Sequence, residues 1–436
     1  MERCPLTEGG FLIPTPSASR RQCEIRAAED NIKNSEPTER VGEHLPRHIA
    51  ILGIISFLTA MSSAMVYGLL PVFLVRVLHT TIASVGIIEG IAESTTSLTK
   101  IVSGMASDWL GRRKPIVLLG YALSAINKVL FPLAGDASTV LLARVIDRVG
   151  KGTRDAPRDA FLTDVTPMPI RGSGFGLRIT FYTAGFVAGP LAAMALMRAS
   201  GDNFRLVFWV AVIPAVMAIV VLLVALSEPP RRAILPLPRL WFQRRDLARF
   251  PVSFWWAIVI ASLLSLARFS HAFLVLKAYE VGIDAAFVPM MFVLLYVVYA
   301  CAAYPFGVLA DRFDRRMQLG LGAAVLIAAN AILAGASVAS VAACGVALWG
   351  MQMAVTQGLL SAAVADAAPE QLRGTAFGIF ELAVGVATFA ASAAAGALWV
   401  LGGSGLTFVM SGAVATALLL LLLLRPTADL AARPQS

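Results

Sequence analysis

Histidine and cysteine are scarce, with four of each in 436 residues. Cys4 and Cys23 lie in a polar N-terminal stretch and Cys301 and Cys344 in apolar runs, so no ligand spacing or disulfide framework emerges. Neither an H-E-x-x-H helix nor a G-x-S-x-G elbow is present, which argues against the common metalloprotease and serine-hydrolase chemistries. No ATP-binding module is present either. The one lure is "GKGT" within "RVIDRVGKGTRDAPRDAFLTD", where a phosphate loop would need Gly at 145 and Ser or Thr at 152, and Val145 and Gly152 stand instead. Charge is the other shortage. Charged residues make up 14% of the chain, well below the roughly one quarter of soluble domains.

What fills the chain instead is hydrophobic, 58% of residues with a mean hydropathy of +0.75. About twelve apolar stretches are each long enough to cross a hydrocarbon core of about 30 Å as a helix. They run over 49–76, 82–107, 115–133, 137–157, 173–198, 204–226, 251–277, 286–310, 317–336, 338–366, 374–400 and 404–425. Residues 1–48 are polar, with mixed charge and scattered Pro, and read as a disordered cytoplasmic tail. Residues 227–250 read as a charged cytoplasmic linker between two halves, 49–226 and 251–425, and 426–436 as a second tail.

The net charge of +9 suggests nucleic acid until the positions are read. Among the odd-numbered loops only Arg76, Arg198, Arg205 and Lys277 appear, while the tails and even-numbered loops carry the bulk of the Lys and Arg. That bias predicts both termini in the cytoplasm of a multi-pass cytoplasmic-membrane protein, with the bilayer as partner and no nucleic acid.

Two segments repeat at nearly constant offset. "DVTPMPIRGSGFG" from Asp164 and "DAAPEQLRGTAFG" from Asp366 lie 202 residues apart, and "GMASDWLGRRK" from Gly104 and "GVLADRFDRR" from Gly307 lie 203 apart. The chain therefore reads as a duplicated six-span unit. Gly104, Asp108, Gly111, Arg112 and Arg113, between spans 2 and 3, resemble the major facilitator signature G-x-x-x-D-[RK]-x-G-[RK]-[RK], with Trp109 in place of a basic residue. Asp311 and Arg312 match in the second copy, where Asp314 replaces the glycine. The resemblance implies an all-α membrane protein of twelve transmembrane helices in two six-helix bundles. It also implies a latch in which the Asp108 carboxylate meets the helix start near Gly374 and Arg112 and Arg113 pair with Asp155 or Asp159. In span 5, Gly176, Gly185, Gly189 and Pro190 are similar to the pattern that marks exporters of this superfamily, although Ala193 and Met194 replace two common glycines.

Span 4 carries the oddest charges. Asp147 is expected roughly 15 Å deep, near the bilayer midplane, where an ionised residue is costly and normally faces a cavity or a partner. Arg144 and Lys151, three before and four after it, share its face, and Arg148 projects elsewhere. This predicts a cavity-facing carboxylate flanked by two cations. The family's span 4 pattern R-x-x-Q-G-x-G fits in two registers, from Arg144 or from Arg148. Glu89 and Glu93 share a face of span 2 and are expected to sit close enough to resist double ionisation. Glu381 in span 11 is expected to couple protons or to pair across an interface. Arg178 is expected to snorkel or tune the site, and Arg268 and His271 to anchor near the outer surface. Tyr67, Tyr182, Gln352, Gln357 and Phe254 to Trp256 are candidate cavity linings.

The expectation is a secondary transporter, not an enzyme, which exports a small organic compound (drug-like, siderophore-like or anionic) in exchange for protons. It would work as a monomer with no cofactor beyond the proton gradient. Glu89, Glu93 and Asp147 are the preferred proton carriers. Proton-driven uptake of an organic anion is the alternative, and Lys and Arg outnumber carboxylates inside the spans, which favours anionic cargo.

Overall fold

The computed structural model describes residues 47–110, 112–166, 170–226, 247, 250–310, 314–356, 359–368 and 372–424. Residues 1–46 of the tail expected up to residue 48, most of the linker 227–250 and the tail 426–436 lie outside them, and residues 47 and 48 already belong to the first helix. Nine helices among the described residues are long and apolar enough to cross a membrane. Spans 2 and 4 are missing from that set because charged and hydroxyl side chains run along them. The last of the nine, Arg373–Leu424, is two spans joined at Gly402 and Gly403, with Gly403 at a φ of 75° that only glycine adopts freely. Twelve spans result among the described residues.

In order they are span 1, Arg47–Arg76; span 2, Ile82–Leu110; span 3, Lys114–Leu133; span 4, Ala137–Val165; span 5, Arg171–Ser200; and span 6, Phe204–Ala225. Span 7 is Val252–Glu280, span 8 Met290–Ala310 and span 9 Arg315–Gly335. Span 10 is Ala339–Thr356, resumed as Leu359–Ala367, and spans 11 and 12 lie before and after Gly402. Polar residues mark the starts. Asp136 accepts from the Thr139 amide at the head of span 4 and Asn203 from the Leu206 amide at the head of span 6, which satisfies otherwise orphaned helix N–H groups. The Thr139 amide and the Ser138 hydroxyl hold the Asp136 carboxyl below its usual range.

Neighbours repeat with the sequence. Span 1 packs on spans 5 and 6, span 2 on 4, and span 3 on 4 and 6; six spans later, 7 packs on 11 and 12, 8 on 10, and 9 on 10 and 12. Between the halves, span 2 lies along span 11 and span 5 along span 8, again related by the repeat. Large apolar side chains point outward all around, among them Ile126, Val220, Val224 and Leu424, as a lipid-facing surface requires.

The core is divided unequally. The largest apolar cluster draws on both halves, through Leu69 to Leu74 of span 1, Phe273 to Leu276 of span 7, and Phe186 and Tyr296 of spans 5 and 8. On the side where Arg47 and Leu424 emerge, hereafter the terminal side, one cluster (Ile49 to Ile55, Phe161, Leu222) stays within the first half. Another there (Phe254 to Ala261, Ala376, Phe380) stays within the second. Apolar packing across the halves thus belongs to the large cluster, while the two terminal-side clusters each stay within one half.

The glycines of span 5 act inside one half. A Cβ at Gly189 would stand 2.4 Å from the Met61 carbonyl oxygen and one at Gly185 2.5 Å from that of Phe57, both on span 1, whereas Gly176 has nothing within 4 Å. The close packing of Gly185 and Gly189 is therefore with span 1 of the same half. Gly189→Ala is expected to force spans 1 and 5 apart, lowering stability by about 1–3 kcal/mol, read as an earlier thermal unfolding midpoint in detergent. Gly176→Ala should leave it unchanged.

Candidate transport site

Two helix interruptions build the site. Span 1 breaks after Tyr67, at Gly68 and Leu69, just before Pro71. Proline lacks an amide hydrogen and its ring clashes with the carbonyl four residues back, here that of Tyr67. Span 7 stops at Ala267 and resumes at Ala272. Gly68 and Ser270 are 202 residues apart, so the breaks are one feature copied by the duplication. Matching interruptions in the two halves of a transporter are where cargo sites form. A cavity of about 190 Å³ lies there, lined from the first half by Tyr67, Glu89, Glu93, Arg144, Arg148 and Lys151. From the second half, Arg268, Phe269, Ser270, His271 and Ala272 all face it, five consecutive residues that an unbroken helix would scatter around its axis. A smaller recess shares Tyr67, Lys151, Tyr182 and Phe186 with it and extends past Arg154 toward Arg158.

Each carboxylate has its own cation. Glu89 Oε2 accepts from Arg144 Nη2 at 2.5 Å and Glu93 Oε1 from Arg148 Nη2 at 2.6 Å. Asp147 Oδ1 meets Lys128 Nζ at 3.3 Å, and the Tyr67 hydroxyl donates to Asp147 Oδ2. The Tyr67 ring lies beneath three cations, 4.4 Å from the Arg144 guanidinium carbon, 4.9 Å from that of Arg148 and 5.1 Å from Lys128 Nζ. A ring face so placed stabilises cations away from bulk water. Among these carboxylates only Glu93 retains appreciable access, its side chain 30% exposed against 6% for Glu89 and 1% for Asp147.

The halves also meet here. The Ser270 hydroxyl of span 7 donates to Glu89 Oε2 at 2.8 Å, and the Ser270 amide donates to Ser392 Oγ of span 11 at 3.3 Å. Glu89 therefore accepts from span 4 and from span 7 at once. Toward the terminal side Lys100 Nζ reaches Glu381 Oε1 at 3.4 Å, joining spans 2 and 11.

Several expectations need correction. Asp147 does not look into the cavity between Arg144 and Lys151; it turns toward spans 1 and 3, where Lys128 and Tyr67 hold it, and Arg148 joins the cavity wall instead. Glu89 and Glu93 share no partner, each meeting its own guanidinium on successive turns of span 4. Arg113 pairs with Asp164 at 2.7 Å rather than with Asp155 or Asp159, both of which meet Arg158, and Arg112 is exposed. Arg178 stands 3.7 Å from Asp159, outside the cavity wall. Gly104 stands against Ala156 at ordinary contact distance, so no unusually close approach is needed there. The Asp108 side chain, Gly111, Asp311, Arg312 and Gln357 lie outside the described residues. Gln352 is buried and bonded to Thr356, and Phe254 packs in the core, so neither lines the cavity.

Arg268 and His271 were missed as central residues. A straight span 7 would put them near its outer end, but the broken span continues to Glu280 and draws them to mid-depth. The repeat offset, which sets Phe269 opposite Tyr67, was the signal that places them.

The family model for the Major Facilitator Superfamily matches residues 52–279 and 258–436. The chain belongs to the major facilitator superfamily. An uncharacterized MFS-type transporter of Methanocaldococcus jannaschii is 29% identical over 380 residues, covering 86% of this chain and 93% of that one. The arabinose-proton symporter of Bacillus subtilis is 30% identical over 151 residues, 32% of either chain. Among solved structures, the human organic anion transporter TETRAN superposes with a TM-score of 0.63 at 18% identity, covering 87% of this chain and all (100%) of that one. A POT family transporter in complex with 5-aminolevulinic acid reaches 0.74 at 12% identity, covering 89% and 98%. These likenesses establish the major facilitator fold. The protein is a multi-pass membrane transporter of a small molecule and not an enzyme.

Proposed function

We propose that the cargo is a small organic anion and that its movement is linked to protons. The carrying observation is the state of the cavity arginines. Arg144 uses Nη2 on Glu89 while its buried Nε and Nη1 have no hydrogen-bond partner among the described residues, and Arg148 likewise leaves Nε unused there. Buried donors on a charged group strongly favour an acceptor, and an anion in the cavity supplies one. The excess of Lys and Arg outside the spans on the terminal side supports a cytoplasmic location for that side.

Direction follows from competition. An anion that engages Arg148 draws it from Glu93, and a carboxylate left beside an anion is stabilised by taking a proton. Anion and proton then bind together, which is the logic of proton-driven uptake. Export in exchange for protons is the second reading, supported by the glycine pattern of span 5, although Gly185 and Gly189 also serve packing against span 1. Purified protein in liposomes decides between them. With an acid exterior, uptake predicts accumulation of labelled anion inside. Export predicts accumulation when the interior is acid, and failure of every anion at either polarity, with a neutral or cationic compound moving, rejects the anion reading.

A further inference from the structure

Two cations in the cavity wall make no ion pair among the described residues, and they stand on opposite halves. Lys151 of span 4 and Arg268 of span 7 both line the cavity, and neither makes an ion pair or hydrogen bond through its side chain among the described residues. The neighbouring carboxylates are already engaged, Glu89 with Arg144 and Ser270, and Glu93 with Arg148. Other deep cations are engaged: Arg154 bonds to the Ser124 hydroxyl and the Gly120 carbonyl, and three more have carboxylate partners. Lys128 has Asp147, Lys100 has Glu381 and Arg158 has Asp155. Ionisable residues at membrane depth that lack a partner mark cargo or ion sites by default.

We infer that the cargo carries two anionic groups, one held by Lys151 together with Arg148, three residues before it on span 4, and the other by Arg268, so that a single molecule bridges the two halves. The inference rests on the organic-anion reading and narrows it. A monoanion neutralises one of the two and leaves the other uncompensated in a site of low dielectric, where unmatched charge is penalised far more than in water. A dianion neutralises both. Attachment is different at the two ends, since a guanidinium offers a planar fork for carboxylate while an ammonium is a compact point charge. Arg268 is also positioned by the break itself. As the residue directly after the last turn of the first half-helix, with φ −117° and ψ 91°, it leaves the helical path. The aromatic walls of Tyr182, Phe186, Phe292 and Tyr296 supply apolar contact for the body between the two ends.

The test is thermal stabilisation of the purified full chain by unbranched dicarboxylates from malonate to adipate, each compared with the monocarboxylate of the same carbon number. At least one dicarboxylate is expected to bind about tenfold or more tightly than its monocarboxylate. Arg268→Gln and Lys151→Gln should each remove that preference, and Lys151→Arg, which keeps the charge, should restore it relative to Lys151→Gln. If monocarboxylates equal dicarboxylates at every length, the two-point reading fails while the anion reading stands. Retention of the preference in both glutamine variants likewise overturns it. If no carboxylate stabilises the protein and neutral or cationic compounds do, both readings fall together.

Discussion

Asp147→Ala will destabilise the protein by about 3–5 kcal/mol, because it strands a buried ammonium. Lys128 is 1% exposed, as is Asp147, and beyond Asp147 its ammonium contacts only the faces of Tyr67 and Phe131 among the described residues. Those rings recover part of the loss. The physical claim is that the penalty comes from the unmatched charge and not from the removed contact. Replacing both partners by apolar groups of similar volume, Lys128→Met with Asp147→Leu, should therefore recover most of the stability, since a buried pair is often no better than well-packed hydrophobic residues. The second half of the chain supports this. At the repeat offset of 202, Asn330 and Trp349 occupy the corresponding places, both fully buried and neither charged. The same architecture thus folds with a neutral pair there. Thermal unfolding of the three proteins in one detergent measures the difference; a double variant as unstable as Asp147→Ala would sink the argument.

Much of the architecture is legible from local chemistry because the bilayer imposes one rule on every span. Apolar length gave the number of crossings, and two motifs about 202 residues apart gave the duplication that the packing of spans 1 to 6 and 7 to 12 repeats. Site residues were named more reliably than they were connected. Arg144, Lys151, Glu89 and Glu93 reach the cavity, as helix-face counting within one span suggests, while Arg148 reaches it against that counting. Partner choice depends on how neighbouring helices are rotated and staggered, and no single-span periodicity contains that. Asp147 illustrates the limit. Its position fixed its depth, but not that Lys128, nineteen residues earlier on span 3, would draw it from the cavity. Arg268 fails differently, since a break in the helix changed depth itself. A span with a hidden interruption holds more residues than its straight length implies.

Glu93→Gln will separate cargo movement from proton movement. Of the three carboxylates near the site, Glu93 alone lines the cavity with substantial access, and its partner Arg148 is the cation that the cargo is proposed to share. In the wild type, protonation of Glu93 neutralises the carboxylate and frees Arg148, so anion binding strengthens as pH falls. Glutamine imitates the protonated state permanently. The variant should therefore bind anion well across the pH range and continue equilibrium exchange of labelled against unlabelled cargo. Accumulation driven by an acid exterior should fall by about tenfold or more, because a coupling free energy cannot exist once one of the two linked binding events is removed. Glu89→Gln should behave otherwise. Glu89 accepts from both Arg144 and Ser270, so its substitution weakens a junction between halves and should slow exchange as well as accumulation. The decisive comparison is exchange beside gradient-driven accumulation in the same liposomes. Undiminished accumulation by Glu93→Gln would remove Glu93 as the coupling group and leave the buried Glu89 to carry the proton.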